Sequence, residues 1–562
     1  MKVALVFPLL ACGSLLIAAG HAPAEPGIAA GGMVATVHPA ATDSGVAALG
    51  GGGNAIDAAI AAALMLGVVD GHNSGIGGGC FILVHLADGR QVAIDGRETA
   101  PARAHRDMFL RDGKPNAELS QTGPLASGVP GALAAYDLAA REHGRLPLQQ
   151  ALLRAAEVAE KGYVLDVSAA KRLNDLSATF ARFEGSRAVF LKSDGSSHEA
   201  GELFRQPDLA RTYRSLAEDG IAWFYQGPFA KALEGWMASN GGLTTASDLA
   251  AYRPQMREPI LSTYRGYAIV GFPPPSSGGV HVAQILNILE HFDLKAIYGR
   301  DPAQFYHVIA EAMKRAFADR AYWLGDPGFA QVPRGLLDKQ YARELARQIK
   351  LDRATEVACH GDPPAAGSDH FSRHTTHIAA VDAAGNWVGI TATVNTAFGS
   401  KVVVPGTGVV LNNQMDDFSI APGVPNSAGL VGAEANAVAP GKRPLSSMSP
   451  TVVLADDKPL LTLGAAGGPT IISQVVMALV YRLDLDRDLA AAVGGVRVHQ
   501  QWRPDELRVQ PTMEKDWIAA LEGIGHHVRR GGFGICQAIE RLPDGRFLGV
   551  HDPRVAGKAA GP

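Results

Sequence analysis

The chain has 562 residues, 47% hydrophobic and 19% charged, with a formal net charge of −4. That length supplies a large core, at roughly 150 residues per domain-sized unit. The composition excludes a disordered chain, and the near-balanced charge gives no footing for nucleic acid or an anionic membrane.

The chain opens on "MKVALVFPLLACGSLLIAAGHAPAEPG". Lys2 precedes an apolar stretch from Val3 to Ala19, and Ala22-Pro23-Ala24 forms a small-x-small site before Glu25. This pattern predicts a secretory signal peptide over 1–24 and a periplasmic or secreted mature protein. "LLAC", ending at Cys12, looks like a lipoprotein box, but the apolar run continues past it. No later stretch is long and apolar enough to span a bilayer. Once Cys12 is removed, Cys80, Cys359 and Cys536 remain. An odd number in an exported protein argues against a disulfide framework, and no spacing suits zinc.

Gly52–Asp70 predicts a buried helix, with Asn54 as N-cap and Ile56, Ile60, Ala63, Leu64 and Val68 on one stripe. A hairpin follows, Phe81–His85 and Gln91–Asp95, turning at Asp88-Gly89. From about Gly131 to Leu351 the pattern is mostly helical, with capped segments at Pro302–Tyr322 and Asp338–Lys350. "HGDPPAAGSDHFSR" (His360–Arg373) is polar, has no periodicity and reads as an exposed linker. Strands return at His377–Asp382, Trp387–Val394, Thr451–Ala455 and Leu460–Leu463, then a helix near Thr470–Leu483 and a last hairpin turning at Asp544-Gly545. Strand pairs separated by helices imply antiparallel sheet covered by helices.

Three motifs mislead. "GIGGGC" (Gly75–Cys80) has Rossmann-like spacing, but a helix precedes it and a strand follows, the reverse of that fingerprint. Ser168-Ala169-Ala170-Lys171 matches S-x-x-K but lies in an Ala-rich helical segment without a K-T-G partner. "HHVRR" (His526–Arg530) reads as a solvated basic face.

"RHTTHIAAVD" (Arg373–Asp382) places Thr-Thr at a strand start, just after the linker. Two β-branched residues there are ordinary strand formers. A cut between His374 and Thr375 gives a second reading. Thr375 Oγ becomes a nucleophile whose general base is its own α-amine, with a reference pKa of about 7.7–8.0. The same hydroxyl could make the cut by attacking the His374 carbonyl. This stretch alone leaves both readings open.

Further motifs crowd polar groups between apolar strands: "TATVNTAFGS" (Thr391–Ser400), "LNNQMDDFS" (Leu411–Ser419), "KRPLSSMSPT" (Lys442–Thr451) and "LGAAGGPT" (Leu463–Thr470). With "GGNAIDAAIAAALMLGVVDGHNSGIGGG", "DGRETAP", "GFPPPSSGG" and "DRAYWLGDPGF", they make nearly all of the mature chain resemble the bacterial γ-glutamyltranspeptidases, of the N-terminal nucleophile hydrolase superfamily. The resemblance implies a four-layer αββα sandwich with an additional helical region. It implies a signal peptide at 1–24, a large subunit at 25–374 ending in a linker at about 360–374, and a small subunit at 375–562. The two subunits of one precursor would form a heterodimer.

By the same resemblance, His374 and Thr375 are the processing site and Thr375 is the nucleophile. Thr393 orients it, and the N–H groups of Gly467 and Gly468 form the oxyanion hole. Arg97, Ser446 and Ser447 clamp the substrate α-carboxylate. Asn395, Gln414 and Asp417 surround its ammonium. The residue types suit these tasks: Arg offers a planar fork for a carboxylate, and a carboxylate with amide oxygens suits an ammonium. The implied donors are glutathione or other γ-glutamyl compounds, the acceptors water, amino acids or dipeptides, with no cofactor or metal. Ala428 stands where some relatives carry an aromatic lid, which bears on the balance of hydrolysis and transfer. A glutaryl or cephalosporin acylase is the alternative within the superfamily, and a non-catalytic secreted scaffold the alternative outside it.

Overall fold

The computed structural model describes residues 25–364, 376–421 and 423–562. The expectations for the signal peptide, for His374 and Thr375, and for most of the linker lie outside the described residues.

Two antiparallel seven-stranded sheets form the centre. One runs, in spatial order, Gly27–Ala29, Phe547–His551, Cys536–Arg541, Lys458–Ala465, Thr451–Ala455, Tyr267–Gly271 and Ile260–Tyr264. The other runs Lys558–Ala560, Gly32–Thr36, Thr376–Asp382, Trp387–Thr393, Gly79–His85, Gln91–Gly96 and Gln255–Arg257. Strand alternation builds the layers. Ile378 and Ala380 join the helix-covered core of the second sheet, while Ala379 and Val381 pack between the sheets with Ile539 and Phe547 of the first. In the same way Ile82 and Val84 face the helices, and Phe81 and Leu83 face Val270 and Phe272. Phe81 and Phe272 stack with centroids 4.1 Å apart.

Helices cover both outer faces, giving the expected four layers. Ala55–Val69 and Ala132–His143 pack on the second sheet, and Pro207–Asp219 joins the same core by packing on the helix Leu148–Lys161. Ser277–Leu289 and Thr470–Leu483 pack on the first, and Pro302–Trp323 packs on Ser277–Leu289. Ala55–Val69 is buried on every side rather than along one stripe, as its Ala, Ile and Leu content allows. Its start is fixed by a capping box between Asn54 and Asp57.

The predicted helical stretch from Gly131 to Leu351 is interrupted by the hairpin Ile260–Tyr264 and Tyr267–Gly271. Its turn residues Arg265 and Gly266 both have positive φ, at 51° and 87°. Two-residue turns of this hand match strand twist, and five-residue runs are easily lost inside a helical context. Ser168 lies exposed on the helix Val167–Asp175, and Lys171 pairs with Asp175, as expected of a chance S-x-x-K match.

The solvated-face reading of His526 is corrected. His526 is buried and shares a 2.7 Å hydrogen bond between its Nε2 and His307 Nδ1. His307 Nε2 reaches the Lys350 carbonyl at 2.6 Å. Glu311, one turn along the helix from His307, is held by Arg315 and the Thr355 N–H. His527, Arg529 and Arg530 are exposed, while Val528 packs half-buried against the core, so of the charged or titratable residues in that run only His526 turns inward.

Candidate active site

The strand Thr376–Asp382 begins at the residue after Thr375, and Thr376 is fully buried. It pairs with Trp387–Thr393 in a register setting Thr376 opposite Ala392. Thr393, the last residue of that partner strand, lies opposite Gly79. A Cβ at Gly78 would meet the Thr393 carbonyl oxygen at 1.8 Å. The Gly77-Gly78-Gly79 run therefore serves close backbone approach rather than phosphate binding.

Beyond Thr393 the chain turns at Asn395, with φ +80°. The Asn395 N–H donates to Thr393 Oγ1 at 2.7 Å, leaving the threonine proton to be donated elsewhere. The Asn395 side chain donates to the Asn413 carbonyl at 3.0 Å, and Asn413 Oδ1 accepts from the Thr396 N–H. Lys401 closes the turn, its ammonium donating to Thr396 Oγ1 and the Gly399 carbonyl; burial pushes its pKa down to about 8.

From Asn413 the chain enters a 3-10 turn, Gln414–Asp417. Gln414 Nε2 donates to Asp417 Oδ2 at 3.2 Å, and Arg97 Nη2 donates to the same oxygen at 2.6 Å. Arg97 also donates to the Pro444 carbonyl at 3.2 Å, next to the Leu445-Ser446-Ser447 segment. Arg97 and Asp417 are both buried. Sequence reasoning set them at opposite ends of a bound glutamyl group; here they contact each other directly. With only the protein's own groups available, two buried opposite charges neutralise one another.

Three buried polar atoms in these segments have no hydrogen-bond partner among the described residues: Gln414 Oε1, Ser447 Oγ and Glu98 Oε1. Buried polar atoms are nearly always satisfied, so such a group beside an ion pair marks a place for a polar ligand. Glu98 was not singled out from the sequence. Burial pushes its carboxyl up to about 8, against the pull of Arg97. Ser446 is differently employed: its Oγ accepts from the Met448 N–H at 3.2 Å.

Gly467 and Gly468 lie between the strand Lys458–Ala465 and the helix Thr470–Leu483. Their φ values are +122° and +64°, and a Cβ on Gly467 would meet Gly534 Cα at 2.6 Å. Neither N–H finds an acceptor among the described residues. Earlier on this strand, a Cβ at Gly464 would strike the His377 ring at 2.4 Å, so the segment leading to the glycine pair lies on the residue after Thr376. His377 is held neutral by burial, its pKa down at about 3.

The structure thus links Arg97, Thr393, Asn395, Gln414 and Asp417 through one run of bonded segments. Ser446 and Ser447 follow the Pro444 and Leu445 carbonyls that Arg97 contacts, and the two glycines lie in the loop that leaves a strand of the facing sheet. Asp70 is a further buried group that sequence reasoning passed over, although "DGHN" ends an otherwise apolar helix. Its Oδ2 accepts from Thr376 Oγ1 at 3.1 Å.

Comparison with known proteins gives these positions a family. The Gamma-glutamyltranspeptidase family matches residues 41–562. The glutathione hydrolase proenzyme of Escherichia coli (strain K12) is 44% identical over 530 residues, covering 93% of this chain and 90% of that one. Among solved structures, cephalosporin acylase from Bacillus halodurans has a TM-score of 0.86 at 30% identity, covering 100% of this chain and 99% of that one. Helicobacter pylori γ-glutamyltranspeptidase is 41% identical with a TM-score of 0.55, covering 57% of this chain and 91% of that one. On the family match and the identity to the Escherichia coli protein, the chain belongs to the γ-glutamyltranspeptidase family.

Proposed function

We propose that the protein is a self-processing γ-glutamyltransferase and glutathione hydrolase whose nucleophile is Thr375, exported to the periplasm or beyond. The observation that carries the substrate assignment is the buried Arg97–Asp417 pair at 2.6 Å, beside the unpartnered Gln414 Oε1 and Ser447 Oγ. A zwitterionic α-amino acid end offers the complementary groups. Its carboxylate suits the Arg97 guanidinium and the Ser446 and Ser447 hydroxyls. Its ammonium suits Asp417, Gln414 and Asn395.

In the proposed reaction the Thr375 α-amine takes the Oγ proton as Oγ bonds to the γ-carbonyl carbon. The resulting oxyanion rests on the N–H groups of Gly467 and Gly468, each donor worth about 3–4 kcal/mol in comparable sites. The Thr393 hydroxyl donates to the nucleophile. The C–N bond then breaks, the amine proton passes to the leaving group, and a γ-glutamyl ester remains. Water or an acceptor amine attacks that ester, giving its proton to the α-amine, and Thr375 Oγ leaves with a proton restored.

Processing would use the same hydroxyl on the His374 carbonyl and yield chains 25–374 and 375–562. Both seven-stranded sheets take strands from each side of that cut. The two chains would therefore stay interlocked as a heterodimer.

The similarity to a cephalosporin acylase keeps a second substrate class in view. A glutaryl acyl group has the carboxylate but lacks the ammonium, so it leaves Asp417 and Gln414 without that partner. Assaying glutathione and a matched glutaryl amide, each with and without an acceptor dipeptide, tests the reading. It requires faster turnover of glutathione and a γ-glutamyl-dipeptide product; preference for the glutaryl amide would replace it with the acylase.

A further inference from the structure

The turn after the helix Ala55–Val69 carries three polar residues, Asp70, His72 and Asn73, where the helix itself is almost wholly apolar. Asp70 is 6% exposed. Its Oδ2 accepts from Thr376 Oγ1 at 3.1 Å, and Asn73 Nδ2 donates to its Oδ1 at 3.0 Å. His72 Nε2 lies 3.3 Å from Oδ1, and burial holds that imidazole neutral, with its pKa at about 3. Among the described residues no lysine or arginine pairs with Asp70. Burial raises its carboxyl to about 7; the hydroxyl of Thr376, the amide of Asn73 and the positive charge of Arg172 pull it back down, and the negative charge of Asp166 adds to the rise.

The same turn grips the neighbouring strand. The Asn73 carbonyl accepts from the Val394 N–H at 3.0 Å, and the His72 carbonyl accepts from the Phe398 N–H at 2.9 Å. Residues 70–73 therefore bracket the start of the strand Thr376–Asp382 and the turn after Thr393. A buried carboxyl that no lysine or arginine among the described residues contacts directly is a poor device for stability alone, since an apolar residue would pack there at lower cost. It is a good device for fixing one hydroxyl in place.

An N-terminal nucleophile makes that fixing necessary. Once the preceding peptide bond is cut, the first residue of the new chain is covalently restrained only by the second. We propose that Asp70 is a positioning residue: by holding Thr376 it sets the direction in which the nucleophile one residue earlier is presented. This rests on Thr375 being that nucleophile. Misplacement of a reacting atom by about 1 Å lowers turnover by roughly a hundredfold.

The test uses the processed, full-length enzyme and four variants: Asp70→Asn, Thr376→Val, Thr376→Ser, and the double variant Asp70→Asn/Thr376→Val. The glutamyl pocket around Arg97 is untouched in all of them. Asp70→Asn and Thr376→Val should each lower kcat by about ten- to a hundredfold with KM held within about twofold. The double variant should be no worse than the more damaged single one, because both remove one interaction. Thr376→Ser keeps the hydroxyl and should keep kcat within about threefold of the parent. If Asp70→Asn does not fold, the Val and Ser variants at 376 read the same hydrogen bond from its other end. Multiplied losses in the double variant, a rise in KM at constant kcat, or equal loss in the Ser and Val variants would overturn the proposal. Sequencing the small chain of the parent enzyme separates the two failures. A start other than Thr375 removes the nucleophile assignment, whereas a Thr375 start with silent Asp70 and Thr376 variants removes only the positioning role.

Discussion

Arg97 and Asp417, 320 residues apart in the chain, meet at 2.6 Å in a fully buried ion pair. In the proposed function a zwitterionic ligand engages both charges of this pair without leaving either unbalanced. Asp417→Ala should lower kcat/KM for γ-glutamyl amides by roughly 30- to 150-fold, the equivalent of about 2–3 kcal/mol for a charge-assisted contact. Matched glutaryl amides, which carry no ammonium, should lose far less. Equal losses on the two substrates would contradict the assignment of Asp417 to the ammonium. This variant leaves Arg97 buried without its Asp417 partner, so thermal melts belong alongside the kinetics.

Gly467 tests the oxyanion assignment separately. With φ at +122° and Gly534 Cα 2.6 Å from any Cβ, alanine there must shift the local backbone. Gly467→Ala should cut kcat by about 10²–10³, as loss of an oxyanion donor does. KM for the donor should change little, because the Arg97–Asp417 pocket lies on other segments. An unchanged kcat in a folded variant would remove Gly467 from the mechanism.

The loop at Ser427-Ala428 is more tightly held than its sequence suggests. The Ser427 N–H donates to Asp416 Oδ2 at 3.0 Å, and Gln501 Nε2 donates to the Gly429 carbonyl at 3.1 Å. Ala428 packs against the core of the first sheet, while Ser427 is exposed. Ala428→Tyr should therefore destabilise by about 1–3 kcal/mol through overpacking. Ser427→Tyr should leave stability intact and raise the ratio of transfer to hydrolysis by shielding the ester. Product partitioning between glutamate and γ-glutamyl-dipeptide, with thermal melts, checks both. An unchanged ratio for Ser427→Tyr would mean that this loop does not gate water.

The His307–His526 contact predicts a pH dependence. Burial lowers both pKa values, that of His526 to about 4. A histidine depressed in the folded state binds fewer protons there than when unfolded. Its contribution to stability is therefore complete above the unfolded pKa of about 6.5 and is lost as pH falls toward the folded value. Buried Asp70 and Glu98, with raised values, push the other way, so the informative quantity is a difference between variants. His526→Gln, which does not titrate, should show a smaller fall in Tm between pH 7.5 and 5 than the parent. An equal fall in both would exclude this contact as the source.

Much of this architecture was legible in local pattern. The Thr451–Ala455 strand and the Thr470–Leu483 helix stand where alternation and helical spacing place them, and Asn54 caps the helix it precedes. The hairpin at 260–271 escaped because its two short strands sit within a long helical stretch, and the second of them is anchored to the sheet by residues nearly 200 positions on. The direct Arg97–Asp417 contact escaped because motif reasoning gives each charge a role of its own and cannot show that two residues 320 positions apart meet. Asp70 and His526 escaped for a related reason. Burial of a polar side chain is decided by tertiary packing, and a polar cluster after a helix or a run of basic residues looks solvated until its partners are known.

The central claim is that the chain cuts itself before Thr375 and works through the amine and hydroxyl thereby exposed. N-terminal sequencing of the purified protein, with a glutathione assay on the same sample, tests it most directly. The account predicts two chains in an active preparation, the smaller beginning at Thr375 and the larger near Glu25. A single uncut chain that turns over glutathione, or a small chain beginning at any other residue, would contradict it.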